Sequence, residues 1–368
     1  MIENAEPWVD IPTARCLLRW LLAGGELACL HEPSALAAWL TRQGLGALAY
    51  GRCGDDQSAL RRRLQADMFA AAAESSLRQA QLHPILEAFA RADLPLVLLK
   101  GGGVEPVALR RPCLAHHERP RPLAARGGYA AAAQLMAALG YVTSGKEARP
   151  FQLQQLSRGE IPFYRPGLSA GLVEFHWSPF SGWWLARTAV IDEAGLWARR
   201  EPVAKAAAAH LASEDMVIHL AVHTAVNHQF DLSALRSLVD MALTAQKRGV
   251  DWAVVAERAR AWRVGTAVYT VLDVLDQLFE LDGLAMALDA LRTSRRRRWL
   301  IGRFVTPERV LAGHDLRAGW QRFLLLLLLV DRKRDMGKLV GRTLWPEPEW
   351  LAARYSDDAG HWRHLWRW

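Results

Sequence analysis

The chain has 368 residues, 51% of them hydrophobic and 23% charged, which excludes a disordered polymer and leaves room for a large core in two or three domains. Its formal charge is +8, from 46 Lys+Arg against 38 Asp+Glu, an excess that favours anionic partners: nucleotides, phosphorylated substrates or an anionic surface. The basic residues are scattered and no aromatic-basic signature of an RNA module accompanies them, so no specific nucleic-acid partner is expected.

Cys16, Cys29, Cys53 and Cys113 show no metal-type spacing, and Met1-Ile2-Glu3-Asn4 is acidic where a secretory leader would be basic. The cysteines therefore read as reduced thiols of a cytoplasmic protein. The longest apolar run, Phe323 to Val330, is too short for a transmembrane segment and reads as part of a buried helix.

From about Ala14 to Arg91 the chain is rich in Ala, Leu, Arg and Gln with few breakers, a helical pattern that His83-Pro84 interrupts. It ends in Ala88 to Asp93 and feeds the run Leu96-Val97-Leu98-Leu99-Lys100-Gly101-Gly102-Gly103. Apolar residues bounded by Pro95 and glycines predict a short buried strand entering a tight loop. Glycines at a strand end let the backbone approach a ligand, amides beyond them can hold phosphate oxygens, and Lys100 adds a cation. The plainer reading of the same residues is a turn and nothing more.

Tyr129 to Leu139 reads as a helix, stopped at Gly140 and followed by a strand through Val142-Thr143. Leu172 to Trp177 alternates, so Val173, Phe175 and Trp177 share one face while Glu174 and His176 share the other. That pattern suits a site, and equally any half-exposed strand. From Ser213 to about Ala290 the chain is helical again, with Glu214 and Asp215 in the first turn. Asp215, His219, His223 and Asn227 recur every fourth residue on one face. Histidines at this spacing can bind zinc, but no Glu follows His219, so the zinc-protease signature is absent. The favoured reading is of histidines hydrogen-bonded across a helix interface. Arg295 to Arg298 reads as a solvated helix end, and the tail Trp362 to Trp368 as packed on the body or lying at a membrane interface.

Taken in order, several of these pieces resemble a bacterial family of uncharacterised nucleotidyltransferases with a polymerase-β-type fold. They are Leu98-Leu99-Lys100-Gly101, Leu139-Gly140-Tyr141, Val173-Glu174-Phe175-His176-Trp177 and the Ser213-Glu214-Asp215 helix with His219 and His223. Asp240, Asp251-Trp252, Trp345-Pro346, Glu349-Trp350-Leu351 and Arg354-Tyr355 complete the pattern. The resemblance implies an α+β fold. A small mixed sheet over 94–200 forms the core, with a helical region over 1–93 before it and another over 201–368 after it.

It also implies a mechanism. In such enzymes a strand and glycine turn cradle a nucleoside triphosphate, paired aspartates hold Mg2+, and a third acid stands on a later strand. By this resemblance Lys100 contacts phosphate, Gly101 and Gly102 form the turn, and Glu174 is the third acid. The stretch that should carry the pair reads Leu114-Ala115-His116-His117-Glu118-Arg119-Pro120-Arg121-Pro122-Leu123, with Glu118 its one carboxylate. Prolines here would damage a central strand. The implied catalytic set is Glu174, His176 and Glu118, with Glu118 and Glu174 as metal ligands and His176 as base or supporting partner. Three readings stay open. The chain transfers a nucleoside monophosphate to a small-molecule, peptide, protein or saccharide acceptor, His116 or His117 completing an unusual metal site. Alternatively it binds a nucleotide without turning it over, or serves as a non-catalytic accessory protein in natural-product biosynthesis.

Overall fold

The computed structural model describes residues 9–27, 32–99, 122–124, 129–143, 159–168, 172–203, 208–313, 316, 319–355 and 360–366. Lys100, Gly101, Gly102, His116, His117 and Glu118 lie outside the described residues.

The fold is α+β. Its sheet is mixed and ordered β3-β4-β5-β2-β1-β7-β6, with β1 Leu96–Leu98, β2 Pro122–Ala124, β3 Val142–Thr143, β4 Glu160–Tyr164, β5 Leu172–His176, β6 Glu201–Pro202 and β7 Ala209–His210. The apolar run after Pro95 becomes the interior strand β1, buried at every position. It pairs antiparallel with β2 and parallel with β7, so the sheet takes two strands from beyond residue 200. Proline does not spoil β2 as expected. Pro122 lies in that strand opposite Leu98 and is the first residue of the described segment.

Alternation gives the sheet two different faces. On one, Leu96, Leu98, Ile161, Phe163, Val173 and Phe175 pack against Ile85, Leu86 and Phe89 of helix Gln65–Arg91 and against Ala132 and Met136 of helix Tyr129–Ala138. Phe175 is fully buried there, stacked on Phe89 at 5.4 Å and edge-on to Phe163 at 6.2 Å. On the other face, Val97, Leu123 and Ala209 join a larger helical core.

That larger core unites both ends of the chain. Leu17, Leu18 and Leu21 of helix Ile11–Ala23 and Leu36 and Leu40 of helix Pro33–Arg42 belong to one cluster with Ile218, Leu238, Val255 and Leu272. Side chains fasten the two ends: Trp39 Nε1 and Gln43 Nε2 donate to the Leu311 carbonyl at 3.2 and 2.8 Å, and Arg15 Nε to that of Gln277 at 2.6 Å. The helices before the sheet thus divide, the early ones joining the C-terminal helices and the long one covering the sheet.

Among the described residues no helix is long and apolar enough to cross a membrane. The leucine run lies in helix Gly319–Leu329, with Leu325, Leu328 and Leu329 buried and Leu324 exposed. The expectation of reduced thiols is corrected at Cys16, which is disulfide-bonded; Cys53 is a free thiol, pushed up to about 11 by burial. Cysteine usage therefore gives no support to a reducing compartment.

Two expectations follow. Phe175→Ala removes a fully buried ring and should cost about 3–5 kcal/mol, read as a lower urea midpoint with an unchanged slope. His210 on β7 is buried, and burial first, then the neighbouring Arg248, hold its imidazole below the ordinary value, the backbone of Leu211 and Glu201 opposing. The unfolded chain takes up that proton more readily. Stability is therefore full above about pH 6.5 and is lost as pH falls through the lowered folded value. Melting temperatures at decreasing pH should decline accordingly, and less steeply in His210→Gln.

Candidate functional site on the second face of the sheet

Strand β5 carries the alternation expected from its sequence. Val173 and Phe175 enter the apolar core, and Glu174 and His176, 4% and 2% exposed, project from the opposite face. A carboxylate and an imidazole buried side by side need compensation, because burial without a partner is costly. The neighbouring strand contributes to it. β4 pairs antiparallel with β5 so that Glu160 lies opposite His176 and Pro162 opposite Glu174. Residues opposite one another in a ladder share a face, so Glu160 stands with Glu174 and His176. The His176 Nε2 is 3.5 Å from Glu160 Oε2. One ligand atom from each of the three lies within 4.8 Å of the others.

The backbone fixes this geometry. The Trp177 and Ser178 amides both donate to the Gly159 carbonyl, at 2.9 and 3.3 Å, tying the end of β5 to the residue before Glu160. Gly159 has a φ of +143°, and a Cβ there would fall 2.7 Å from the Ser181 Cα. Only glycine permits that approach. Central strand β2 lies on the other side of β5, with Leu123 paired to His176, and its residues Pro122, Leu123 and Ala124 bring no carboxylate to the face.

Behind the site, the four-residue ladder of helix Ser213–Val222 and the π-helical turn His223–Asn227 anchors the segment that follows β5. His219 Nδ1 donates to the Pro179 carbonyl at 2.9 Å and its ring stacks on Phe180. Asn227 Nδ2 donates to the Ser181 carbonyl at 3.2 Å. Asp215, fully buried, receives Arg199 Nε at 3.0 Å and Arg258 Nη1 at 2.9 Å. His223 stacks on His228 at 4.5 Å, and His228 Nδ1 meets Asp231 Oδ2 at 2.7 Å. Burial tends to raise the Asp231 carboxyl, but the hydrogen bond and charge of His228 and the Ser233 donors hold it below its ordinary value. The expectation that the histidines hydrogen-bond across a helix interface is met only in part: His219 bonds the segment after β5 rather than a helix, and His223 makes ring contacts with His219 and His228. The described residues with metal-ligand geometry are instead Glu160, Glu174 and His176.

Glu174 and His176 are therefore brought together as expected, and Glu160 is the partner that sequence reasoning missed. The segment from Gly159 to Tyr164 carries a proline at Pro162 and does not read plainly as a strand from sequence, so Glu160 has no local signal.

The sheet thus carries two carboxylates and an imidazole, with ligand atoms within 4.8 Å of one another, on the face opposite its apolar packing against the long helix. The chain matches the model of the uncharacterised nucleotidyltransferase family over residues 31–280, more than half its length, and belongs to that family. No curated protein and no solved structure matches it.

Asp215→Ala would leave two arginines facing an empty buried site. Loss of one partner from a buried ion pair costs roughly 3–5 kcal/mol, and the partial exposure of Arg199 and Arg258 puts the expected loss at the lower end. Chemical denaturation measures it, and Asp215→Asn should recover part of the difference.

Proposed function

We infer that this nucleotidyltransferase-like protein binds a nucleoside triphosphate with a divalent cation at the Glu160, Glu174 and His176 face, and transfers a nucleoside monophosphate to a hydroxyl or phosphate of an acceptor. The observation that carries the reading is the convergence of those three side chains on one sheet face in a chain of this family. The donor set fits a divalent ion: two carboxylates offer hard oxygens and the imidazole a borderline nitrogen. Glu160, Glu174 and His176 would hold the ion, which when bound neutralises phosphate charge and polarises the phosphoryl centre. Glu174 sets the position of the group because its strand lies inside the sheet, paired with β4 on one side and β2 on the other. His176, whose Nε2 faces Glu160, can hold a proton at that atom, which suits accepting one from an acceptor hydroxyl when it is not ligating. Lys100 with Gly101 and Gly102 would contact the phosphates, and Glu118 would add a carboxylate. Acceptor candidates remain a small molecule, a peptide, a protein or a saccharide.

A second reading has its own support. Strand β2, beside β5, brings no carboxylate to the face, where enzymes of this mechanism need several. On that reading the chain is an accessory protein that holds a nucleotide or a partner without turnover, such as one serving natural-product biosynthesis.

Thermal unfolding with each ribonucleoside triphosphate, with Mg2+, Mn2+ or chelator, separates the two. A ligand at a hundredfold its Kd stabilises by about 2.7 kcal/mol. The expected result is a metal-dependent shift with one or more nucleotides, reached at lower concentration with Mn2+ because an imidazole suits it better than Mg2+. Glu174→Gln should abolish the shift, and Glu160→Gln should weaken it. A nucleotide shift indifferent to chelator and to Glu174→Gln would favour the accessory reading.

A further inference from the structure

The tryptophan- and arginine-rich tail is held down on one side only. In helix His361–Leu365, His364 is buried, donating from Nε2 to the Thr343 carbonyl at 2.8 Å and accepting at Nδ1 from the Tyr355 hydroxyl at 2.9 Å. Trp362 and Trp366, four residues apart, are 70% and 88% exposed. Trp345 lies beside them, stacked on His361 at 4.0 Å and edge-on to Trp362 at 6.4 Å, and it is exposed together with Leu344. One exposed ring needs no explanation, but a contiguous cluster of large ones marks a contact surface.

The same surface continues along helix Lys333–Leu344. Its inner side buries Asp335 and Leu339, the latter against Trp184 and Val330. Arg334, Lys338 and Gly341 recur on its outer side, all exposed, and the Trp345 amide still donates to the Gly341 carbonyl at 2.7 Å. Few carboxylates oppose these cations. Among the described residues from 319 onward, Asp335 is buried, Asp331 accepts the Gly265 and Thr266 amides, and Glu347 is bound by Arg187 and Arg342. Glu349 is the one exposed acid left.

The charge of the whole chain follows this division. Up to residue 294, 30 Lys and Arg are matched by 30 Asp and Glu, whereas from 295 onward 16 stand against 8, so the entire +8 lies there. Every exposed tryptophan among the described residues, Trp299, Trp320, Trp345, Trp362 and Trp366, lies there too.

We propose that this face docks the protein on an anionic phospholipid surface, with Trp345, Trp362 and Trp366 at headgroup depth and Arg334 and Lys338 against the lipid phosphates. Indole rings favour the boundary between water and hydrocarbon, and basic side chains beside them gain from the negative surface potential. A bilayer is favoured over a nucleic-acid strand because the two ends of the stripe differ. Arg334 and Lys338 occupy one end and the three rings with Leu344 the other, whereas a strand presents phosphate and base alternately. It is favoured over a second copy of the chain because a self-complementary contact would set these cations near their own kind. None of these residues belongs to the Glu160, Glu174 and His176 face, so docking and nucleotide binding stand or fall separately.

The test is co-sedimentation of the full chain with vesicles of pure phosphatidylcholine and of an equal mixture of phosphatidylcholine and phosphatidylglycerol. Binding is expected with the mixed vesicles alone, weakening as salt is raised. Arg334→Gln and Lys338→Gln should each lower it about fivefold, and Trp362→Ser with Trp366→Ser about tenfold or more. All four side chains are exposed, so melting temperatures should not move, which separates lost binding from lost fold. Arg62→Gln with Arg63→Gln, exposed arginines of helix Ser58–Arg63, should leave binding unchanged. No binding to the mixed vesicles, equal binding to phosphatidylcholine alone, indifference to the tryptophan substitutions, or an equal loss in the Arg62 and Arg63 variant would each overturn the proposal. So would tighter binding of polyuridylate at the same salt that the same substitutions abolish, which would assign the face to a nucleic-acid strand. A dimer in light scattering that Trp362→Ser dissociates would assign it to a second copy and overturn the proposal equally.

Discussion

The pairing of β4 with β5 is the contact on which the site depends. Side chains alternate along a strand, so a slip of one residue would turn Glu160 into the apolar core and bring Ile161 to the front. The register holds because the rear face is committed. Ile161, Phe163, Val173 and Phe175 all have to reach the layer formed by Ile85, Phe89 and Met136, and no shifted pairing satisfies them together. The polar face is thus fixed by the packing of the apolar one. Gly159 locks the same register from the end, since its carbonyl takes two amides from beyond β5 and its position against Ser181 admits no side chain.

The helical body completes what the sheet cannot do alone. A segment leaving a strand end would ordinarily be free to move, but here its carbonyls at Pro179 and Ser181 are held by His219 and Asn227. Asp215 at the start of the same helix draws in Arg199 and Arg258, binding the chain on either side to one rigid element. The histidine ladder that invites a metal reading is therefore the support of the site. It works through directed hydrogen bonds to backbone, whose geometry is more restrictive than apolar contact. The π-helical turn at its end is the kind of local widening often found near functional sites.

Much of this was legible in the chain itself. The run Leu96 to Leu98 between Pro95 and glycines announced a buried strand, and the alternation from Leu172 to Trp177 separated Glu174 and His176 from Val173 and Phe175. Glu160 was not legible, because its value comes from a partner fourteen or more residues away in a register that only the assembled sheet defines. Pro122 was misjudged for a related reason: whether a proline harms a strand depends on which neighbour its nitrogen faces in the assembled sheet. The disulfide at Cys16 was equally beyond reach, since spacing along a chain does not specify pairing in space.

The sequence by itself determined the α+β class, the interior apolar strand, the two-faced strand β5 and the family, because each rests on local periodicity or on the order of motifs. Only the tertiary structure decided that the first helices pack with the last, that the histidine ladder serves as an anchor, and that Glu160 joins Glu174 and His176. Those outcomes depend on contacts between residues far apart in the chain. Such contacts are selected by the need to bury apolar surface while giving buried backbone polar groups their partners, a condition met by the folded chain as a whole rather than segment by segment.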